Sequence, residues 1–176
     1  MISARLIVVA SLTVHGCDSA APPVPILSWV PLIDHDEWVP TPLVTDPLAS
    51  HRPFDLRCKR PFSPEHDALE IDTRTCNYAS ASQPLSRPLE VGDRLAIRMW
   101  WYPLASQEPS EAHIALLLGN EIVWEEHVAI PGPADVRELE LESPASFGVD
   151  DEITIHLHNH GYNNWIFERF DALLEE

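Results

Sequence analysis

Lysine is almost missing from this sequence, because Lys59 is the only one and basic residues total 11 against 28 acidic residues. The net charge of −17 argues against nucleic-acid binding, since contacts with phosphates need clustered Lys and Arg. Glycine is also scarce, with 6 residues against 17 Pro, which favours extended segments and loops over long helices. A chain of 176 residues has room for one ordinary domain, or for one small domain plus a tail. A polytopic membrane protein, a coiled coil and a collagen-like rod are excluded.

Residues 1–16 have the features of a secretory signal. Arg5 precedes an apolar run, residues 6–14, that is too short to cross a bilayer as a helix. The sequence Val14-His15-Gly16-Cys17 resembles the bacterial lipobox, in which the Cys is lipidated and becomes the first residue of the mature chain. This resemblance implies an exported protein that its N-terminal lipid anchors to a bacterial membrane, facing the periplasm or the cell surface. A short N-terminal strand is the alternative.

The cysteine count agrees with lipidation. Three Cys would leave one unpaired in an exported protein, but a lipidated Cys17 leaves Cys58 and Cys76 as one pair. A disulfide between these two would persist in an oxidising compartment. It would stabilise the fold by roughly 3 kcal/mol, because it restricts the unfolded chain.

A Pro-rich arm follows the signal. Residues 18–53 contain eight Pro and no Gly, a composition typical of extended chain. The same segment carries large apolar side chains, among them Trp29 and Trp38, that a free tether would leave exposed. We therefore predict a lipid-anchored arm over residues 17–53 that is partly packed, followed by one domain over residues 54–176.

The domain has the pattern of antiparallel strands. In residues 94–101, Leu95, Ile97, Met99 and Trp101 alternate with the residues of a second face. No long segment has helical periodicity, so the pattern predicts an all-β antiparallel sandwich. Similar alternation or a short apolar run occurs at residues 68–72, 113–118, 121–125, 136–141, 153–158 and 164–173.

The C-terminal part carries a family resemblance. A predicted strand ends in His-Asn-His-Gly at residues 158–161, a loop Tyr162-Asn163-Asn164 follows, and Trp165 opens the last strand. This arrangement resembles the closing hairpin of jelly-roll modules of the galactose-binding or carbohydrate-binding type, and residues 92–97 resemble a strand start in the same modules. The whole chain is similar to small secreted lipoproteins of myxobacteria. The resemblance implies a jelly-roll sandwich with a non-catalytic binding role at the cell envelope.

One dense polar cluster, residues 156–165, is the candidate contact region for a small molecule or a glycan. Tyr or Trp rings supply a stacking surface there, and Asn and His supply directional hydrogen bonds. Trp100 is a further candidate, although we expect the arm with Trp29 and Trp38 to cover it. The candidate ligand-binding residues are Trp100, His158, His160, Tyr162, Asn163 and Asn164.

The same histidines permit a second interpretation. His156, His158 and His160 share one face of a strand but span about 13 Å, so a single ion could take two of them at most. His113 or His127 from a neighbouring strand would complete the site. The alternative function is thus a periplasmic protein that binds Cu or Zn, the ions that neutral imidazoles suit, through His113, His156, His158 and His160. Ordinary surface histidines on a structural envelope lipoprotein are a third possibility.

Enzyme motifs are missing from the sequence. It has no Gly-x-Ser-x-Gly elbow, no Gly-rich phosphate loop and no His-Glu-x-x-His. We therefore favour a binding protein over an enzyme and assign no cofactor outside the Cu or Zn alternative. The expected partners are a membrane, through the lipid, and a small-molecule or glycan ligand.

Overall fold

The computed structural model describes residues 26–65 and 67–175. The predicted signal segment and Cys17 lie outside the described residues, so cleavage and lipidation stay predictions. Within the described residues, no helix is long and apolar enough to cross a membrane. Besides a short 3-10 helix, Ala49–His51, the elements are β1 Leu27–Pro31, β2 Val39–Pro40, β3 Ser63–Pro64, β4 Leu69–Asp72, β5 Tyr78–Pro84, β6 Arg94–Trp101, β7 Ser110–Leu118, β8 Glu121–Ile130, β9 Asp135–Glu142, β10 Glu152–His158 and β11 Asn164–Glu175.

These strands form two antiparallel sheets. Sheet 1 has the order β3-β4-β11-β6-β9, with β1 also paired to β11, and sheet 2 has the order β2-β5-β10-β7-β8. From β4 to β11 the chain changes sheet at every step except the β7–β8 hairpin. This connectivity is that of a jelly roll. The predicted all-β antiparallel sandwich is confirmed.

The core lies between the sheets and follows the predicted alternation. In β6, Leu95, Ile97 and Met99 are all 0% exposed, as the period-2 pattern requires. In β11 the pairing with β6 shifts between Phe167 and Arg169, which is a β-bulge. The residues of β11 that are fully buried after this shift are Phe170 and Ala172.

The segment before the first long strand is part of the sandwich. Its strand β1 pairs with β11, and β2 pairs with β5 on the other sheet. Between them, Trp38 is buried in the core with its ring 6.0 Å from that of Phe167. Trp29 lies beside the guanidinium group of Arg94, at the opposite end of β6 from Trp100. The expectation that Trp29 and Trp38 cover Trp100 is therefore wrong, because Trp38 is buried in the core and Trp29 lies at a sheet edge.

Cys58 and Cys76 form a disulfide, which confirms the predicted pair. The two residues are also joined by an isolated antiparallel bridge. Next to them, the backbone N–H of Arg57 donates to Asn77 Oδ1 at 2.8 Å, and the N–H of Asn77 donates to Arg57 O at 2.9 Å. The disulfide thus fastens the segment before β3 to the β4–β5 connection.

Residues 41–51, which follow the edge strand β2, lie along the outer face of sheet 2. The N–H of Thr41 donates to Ser80 O at 2.9 Å. The buried Asp46 carboxylate accepts hydrogen bonds from the hydroxyls of Tyr78 and Ser80, and Leu48 O accepts a second bond from Tyr78. These contacts bring the helix Ala49–His51 against β7 and β10.

Candidate functional site

A cleft of about 580 Å³ opens at one end of the sandwich. Three connections form its walls: β4–β5, β6–β7 and β10–β11. The position agrees with the general rule that binding residues lie on loops that a rigid scaffold holds. The residues that line this loop cleft are Arg57, Thr73, Arg74, Asn77, Ala105, Ser106, Gln107, Glu108, Ser110, His160, Gly161 and Tyr162.

A buried polar network holds the loops of the cleft together. Thr73 Oγ1 accepts hydrogen bonds from Asn159 Nδ2 and from the N–H of Asn163, each at 2.8 Å. The N–H of Ala105, on the opposite wall, donates to Asn163 Oδ1 at 2.7 Å. Because Asn159 and Asn163 are almost fully buried, these bonds form away from water and fix the loops in one arrangement.

Gly161 permits the close approach of two walls. Its φ is +104°, and a Cβ atom built there would lie 2.1 Å from the backbone oxygen of Ala105. A side chain is therefore excluded on both conformational and steric grounds. The turn places the next residue, Tyr162, at the rim of the cleft with 65% of its surface exposed.

Charged side chains of both signs lie in and beside the cleft, where Arg57 Nε is 4.0 Å from Asp55 Oδ2. Arg57 and Arg74 lie in its lining together with His160, and Glu108 is the one carboxylate among the lining residues. Arg74 forms a two-pronged ion pair with Asp72, with Nη2–Oδ2 at 2.7 Å and Nε–Oδ1 at 3.0 Å. Hydrogen bonds from this guanidinium group lower the pKa of the Asp72 carboxyl. The ion pair orients the guanidinium group, since a planar fork matches a carboxylate.

A row of aromatic side chains borders the cleft on the outer face of sheet 2. His127, His113, His158 and Tyr78 lie directly opposite one another across β8, β7, β10 and β5. The rings of His113 and His127 stack with centroids 4.6 Å apart. A second cavity, of about 470 Å³, lies over this histidine face and shares Ser110 and His160 with the loop cleft.

His113 is bonded at both ring nitrogens. Its Nε2 lies 2.7 Å from Glu125 Oε1, and its Nδ1 lies 2.8 Å from Nδ1 of His51 on the arm. Burial lowers the pKa of His113, against the opposing effect of Glu125. The imidazole is therefore neutral at pH 7, with the proton placed on Nε2 by the carboxylate.

His156 lies beneath His113 and is 0% exposed. Its ring centroid is 5.0 Å from that of His113, 5.7 Å from His51 and 5.0 Å from Tyr78. Neither ring nitrogen has a hydrogen-bond partner among the described residues. Burial, reinforced by His113, His51 and His158, lowers the pKa of His156 to about 3, so the ring stays neutral over the whole physiological range.

The structure distributes the predicted ligand-binding residues over three places. His160 and Tyr162 line the loop cleft, and Asn163 lies beneath it with its amide bonded to the loops. His158 lies on the histidine face. Trp100 and Asn164 lie on sheet 1, where Trp100 Nε1 donates to Glu168 Oε2 at 3.0 Å and Asn164 Nδ2 donates to Glu70.

The predicted metal-binding histidines are divided in a similar way. His113 and His156 converge, whereas His158 and His160 contact each other with ring centroids 4.8 Å apart. The third nitrogen donor near the first pair comes from His51. Sequence reasoning missed His51 because it stands alone in the arm, 62 residues from its partner His113. It also missed Arg57 and Arg74, although their position next to the predicted disulfide was a usable signal.

Neither a protein-family model nor a curated protein matches the sequence. Among solved structures, the chain is similar to the carbohydrate-binding module TmCBM61 in complex with β-1,4-galactotriose, with 13% identity, a TM-score of 0.39, and 86% and 88% of the two chains covered. It is also similar to the second N-terminal cellulose-binding domain of Cellulomonas fimi β-1,4-glucanase C, with 13% identity, a TM-score of 0.40, and 87% and 99% covered. A family 16 carbohydrate-binding module has 9% identity, a TM-score of 0.40, and 66% and 87% covered.

Proposed function

We propose that this protein is a non-catalytic binding module for a glycan, and that the loop cleft is its binding site. The observation that carries the proposal is Tyr162, a large aromatic side chain that is 65% exposed at the rim of a polar cleft. An exposed tyrosine ring offers a flat apolar surface on which a sugar ring can stack, with a hydroxyl at its edge. A small number of polar groups that converge on such a surface fix the orientation of the ligand and give specificity.

The polar lining supports recognition of a hydroxylated ligand. Arg57, Arg74 and Gln107 offer donors, and the Gln107 amide also offers an acceptor. Because guanidinium groups prefer carboxylate and sulfate oxygens, the lining favours a glycan that carries acidic groups over a neutral one.

We also propose that the module is exported and anchored by a lipid on Cys17. The Cys58–Cys76 disulfide supports export, since such a bond persists in oxidising compartments. The anchor itself rests on the sequence of residues 14–17. Mass spectrometry of the native protein tests it: the expected product begins at an acylated Cys17, and an intact Met1 would contradict it.

Affinity electrophoresis tests the binding site. The wild-type protein is run in gels that contain neutral or uronic-acid polysaccharides, beside two matched variants, Tyr162→Ala and Tyr102→Ala. Both tyrosines are exposed, at 65% and 58%, but Tyr102 does not line the loop cleft and instead contacts Trp100 on sheet 1. We expect retardation of the wild type and Tyr102→Ala in a uronic-acid gel, and free migration of Tyr162→Ala. Loss of retardation in Tyr102→Ala alone would move the site to the Trp100 surface and contradict the proposal.

A further inference from the structure

Three histidines from three separate elements converge at the outer face of sheet 2. His51 comes from the short helix of the arm, His113 from β7 and His156 from β10, and their ligand-capable nitrogens lie within 4.8 Å of one another. His51 Nδ1 and His113 Nδ1 are 2.8 Å apart. In a tetrahedral zinc site with bonds of about 2.0–2.1 Å, neighbouring ligand atoms are about 3.3 Å apart. Small rotations of the side chains would therefore let all three imidazoles reach one ion.

His113 is already oriented as a metal ligand. The carboxylate of Glu125, on β8, holds its Nε2 at 2.7 Å and leaves the lone pair of Nδ1 directed at His51. A carboxylate on the far nitrogen of a ligating histidine is the usual arrangement in protein metal sites, where it fixes the tautomer and the ring angle. Glu125 thus acts as a positioning residue.

His156 supplies an independent indication. It is 0% exposed, and both its ring nitrogens lack a hydrogen-bond partner among the described residues. Leaving buried polar nitrogens without partners is unfavourable, and native proteins rarely do so. A metal ion shared with His113 would satisfy one of these nitrogens.

We propose that His51, His113 and His156 bind one Zn²⁺ or Cu²⁺ ion, which joins the N-terminal arm to sheet 2. Three neutral imidazoles select these ions over Ca²⁺ and Mg²⁺, which prefer oxygen ligands. The cavity of about 470 Å³ beside His51 and His113 has room for a water molecule as the fourth ligand. Glu111, which lies in the same cavity, increases the local concentration of cations. None of the three histidines lines the loop cleft, although the cavity beside them shares Ser110 and His160 with it.

The test uses the full-length protein without an affinity tag, stripped with a chelator and titrated with Zn²⁺ and, separately, Cu²⁺. We expect one ion per chain and a Kd that increases at least roughly 100-fold in His51→Ala, as loss of a ligand implies. His51 is the suitable position because it lies on the arm and contributes nothing to the core. His35→Ala is the matched control, since the His35 ring contacts Glu168 O on sheet 1, and it should bind like the wild type.

A second variant separates this site from the neighbouring histidines. His160→Ala should leave metal affinity unchanged, and a chelator should lower the Tm of the loaded wild type but not that of His51→Ala. The proposal is overturned if the wild type binds no stoichiometric ion, if His51→Ala binds as tightly as the wild type, or if His160→Ala loses as much affinity as His51→Ala. The first result would mean that the 2.8 Å contact between His51 and His113 is an ordinary hydrogen bond between two rings. Retardation in polysaccharide gels, measured on the same variants, reports on the glycan proposal separately.

Discussion

The shape of the cleft depends on Gly161, and a single methyl group added at this residue should disrupt it. In Gly161→Ala the new Cβ would lie 2.1 Å from the backbone oxygen of Ala105. A backbone atom cannot rotate out of the way, so one loop must move by about 1 Å to reach ordinary contact distance. That movement pulls on the hydrogen bond from the N–H of Ala105 to Asn163 Oδ1, which joins the two walls.

The expected magnitude follows from two contributions. A non-glycine residue held at positive φ costs about 1–3 kcal/mol, and overpacking of a well-filled site adds about 1–3 kcal/mol. Gly92→Ala provides a matched control, because Gly92 has a φ of +87° but no atom within 4 Å of its Cβ position. Gly92→Ala should therefore show only the first contribution. The free energy of unfolding should therefore fall by about 1–3 kcal/mol more in Gly161→Ala than in Gly92→Ala.

Urea denaturation of the two variants and the wild type measures this difference, provided that all three have the same m value. Affinity electrophoresis on the same samples measures whether the cleft survives. We expect Gly161→Ala to lose retardation and Gly92→Ala to keep it. Equal destabilisation of the two variants, within 0.5 kcal/mol as a rough experimental limit, would refute the close packing of the two cleft walls.

Three further predictions concern stability. Replacing Cys58 and Cys76 together by Ser should lower the free energy of unfolding by about 3 kcal/mol, because the disulfide closes a loop with a sequence separation of 18. Urea denaturation measures this loss, and an unchanged free energy of unfolding after reduction of the wild type would contradict it. Tyr78→Phe removes a hydroxyl donor from the buried Asp46 carboxylate and should lower Tm through a loss of about 1–3 kcal/mol, and an unchanged Tm would contradict that bond. The pKa of His156 is about 3 in the folded protein against 6.5 in the unfolded chain, so the ring takes up its proton on unfolding. Its contribution to the free energy of unfolding is therefore fully present above pH 6.5 and decreases as the pH falls below that value. Between about pH 8 and about pH 5.5, His156 should lower the free energy of unfolding by about 1.4 kcal/mol, measured by urea denaturation at each pH. The variant His156→Gln should lack this part of the pH dependence.

Much of the fold could be predicted from the sequence because half-buried strands alternate. Residues 94–101 were predicted as a strand with Leu95 and Met99 on the same face, and β6 has these bounds and buries both side chains. Gly119-Asn120, a pair typical of a two-residue turn between strands, joins β7 to β8. In both cases the signal is local, so no knowledge of the partner strand is needed.

Strand β5 could not be predicted in the same way. Its residues Tyr78–Pro84 are mainly Ala and Ser, and Ala79 and Ala81 face the core without the large apolar side chains that mark a strand. The alternation in β11 was also misleading after Phe167, because a bulge shifts the register there. Sequence patterns assume an unbroken period of two, which a bulge violates.

The candidate sites were predictable only in part. His113 and His156 were predicted as possible metal ligands because neighbouring strands can place them on one face, and the structure brings their rings to 5.0 Å. His51 reaches them only because the arm lies along sheet 2, which depends on the buried bonds of Asp46. Asn163 has the residue type of a ligand contact, but the structure uses its amide to hold the loops.

A backbone-amide NMR titration shows directly whether the loop cleft binds a glycan. The labelled protein is titrated with an oligosaccharide of the uronic-acid class that retards it in the gel. We expect the largest chemical-shift changes in the three connections that form the cleft, at residues such as Thr73, Gly161 and Tyr162. Shifts confined to the surface around Trp100, or no shifts at saturating ligand, would contradict it.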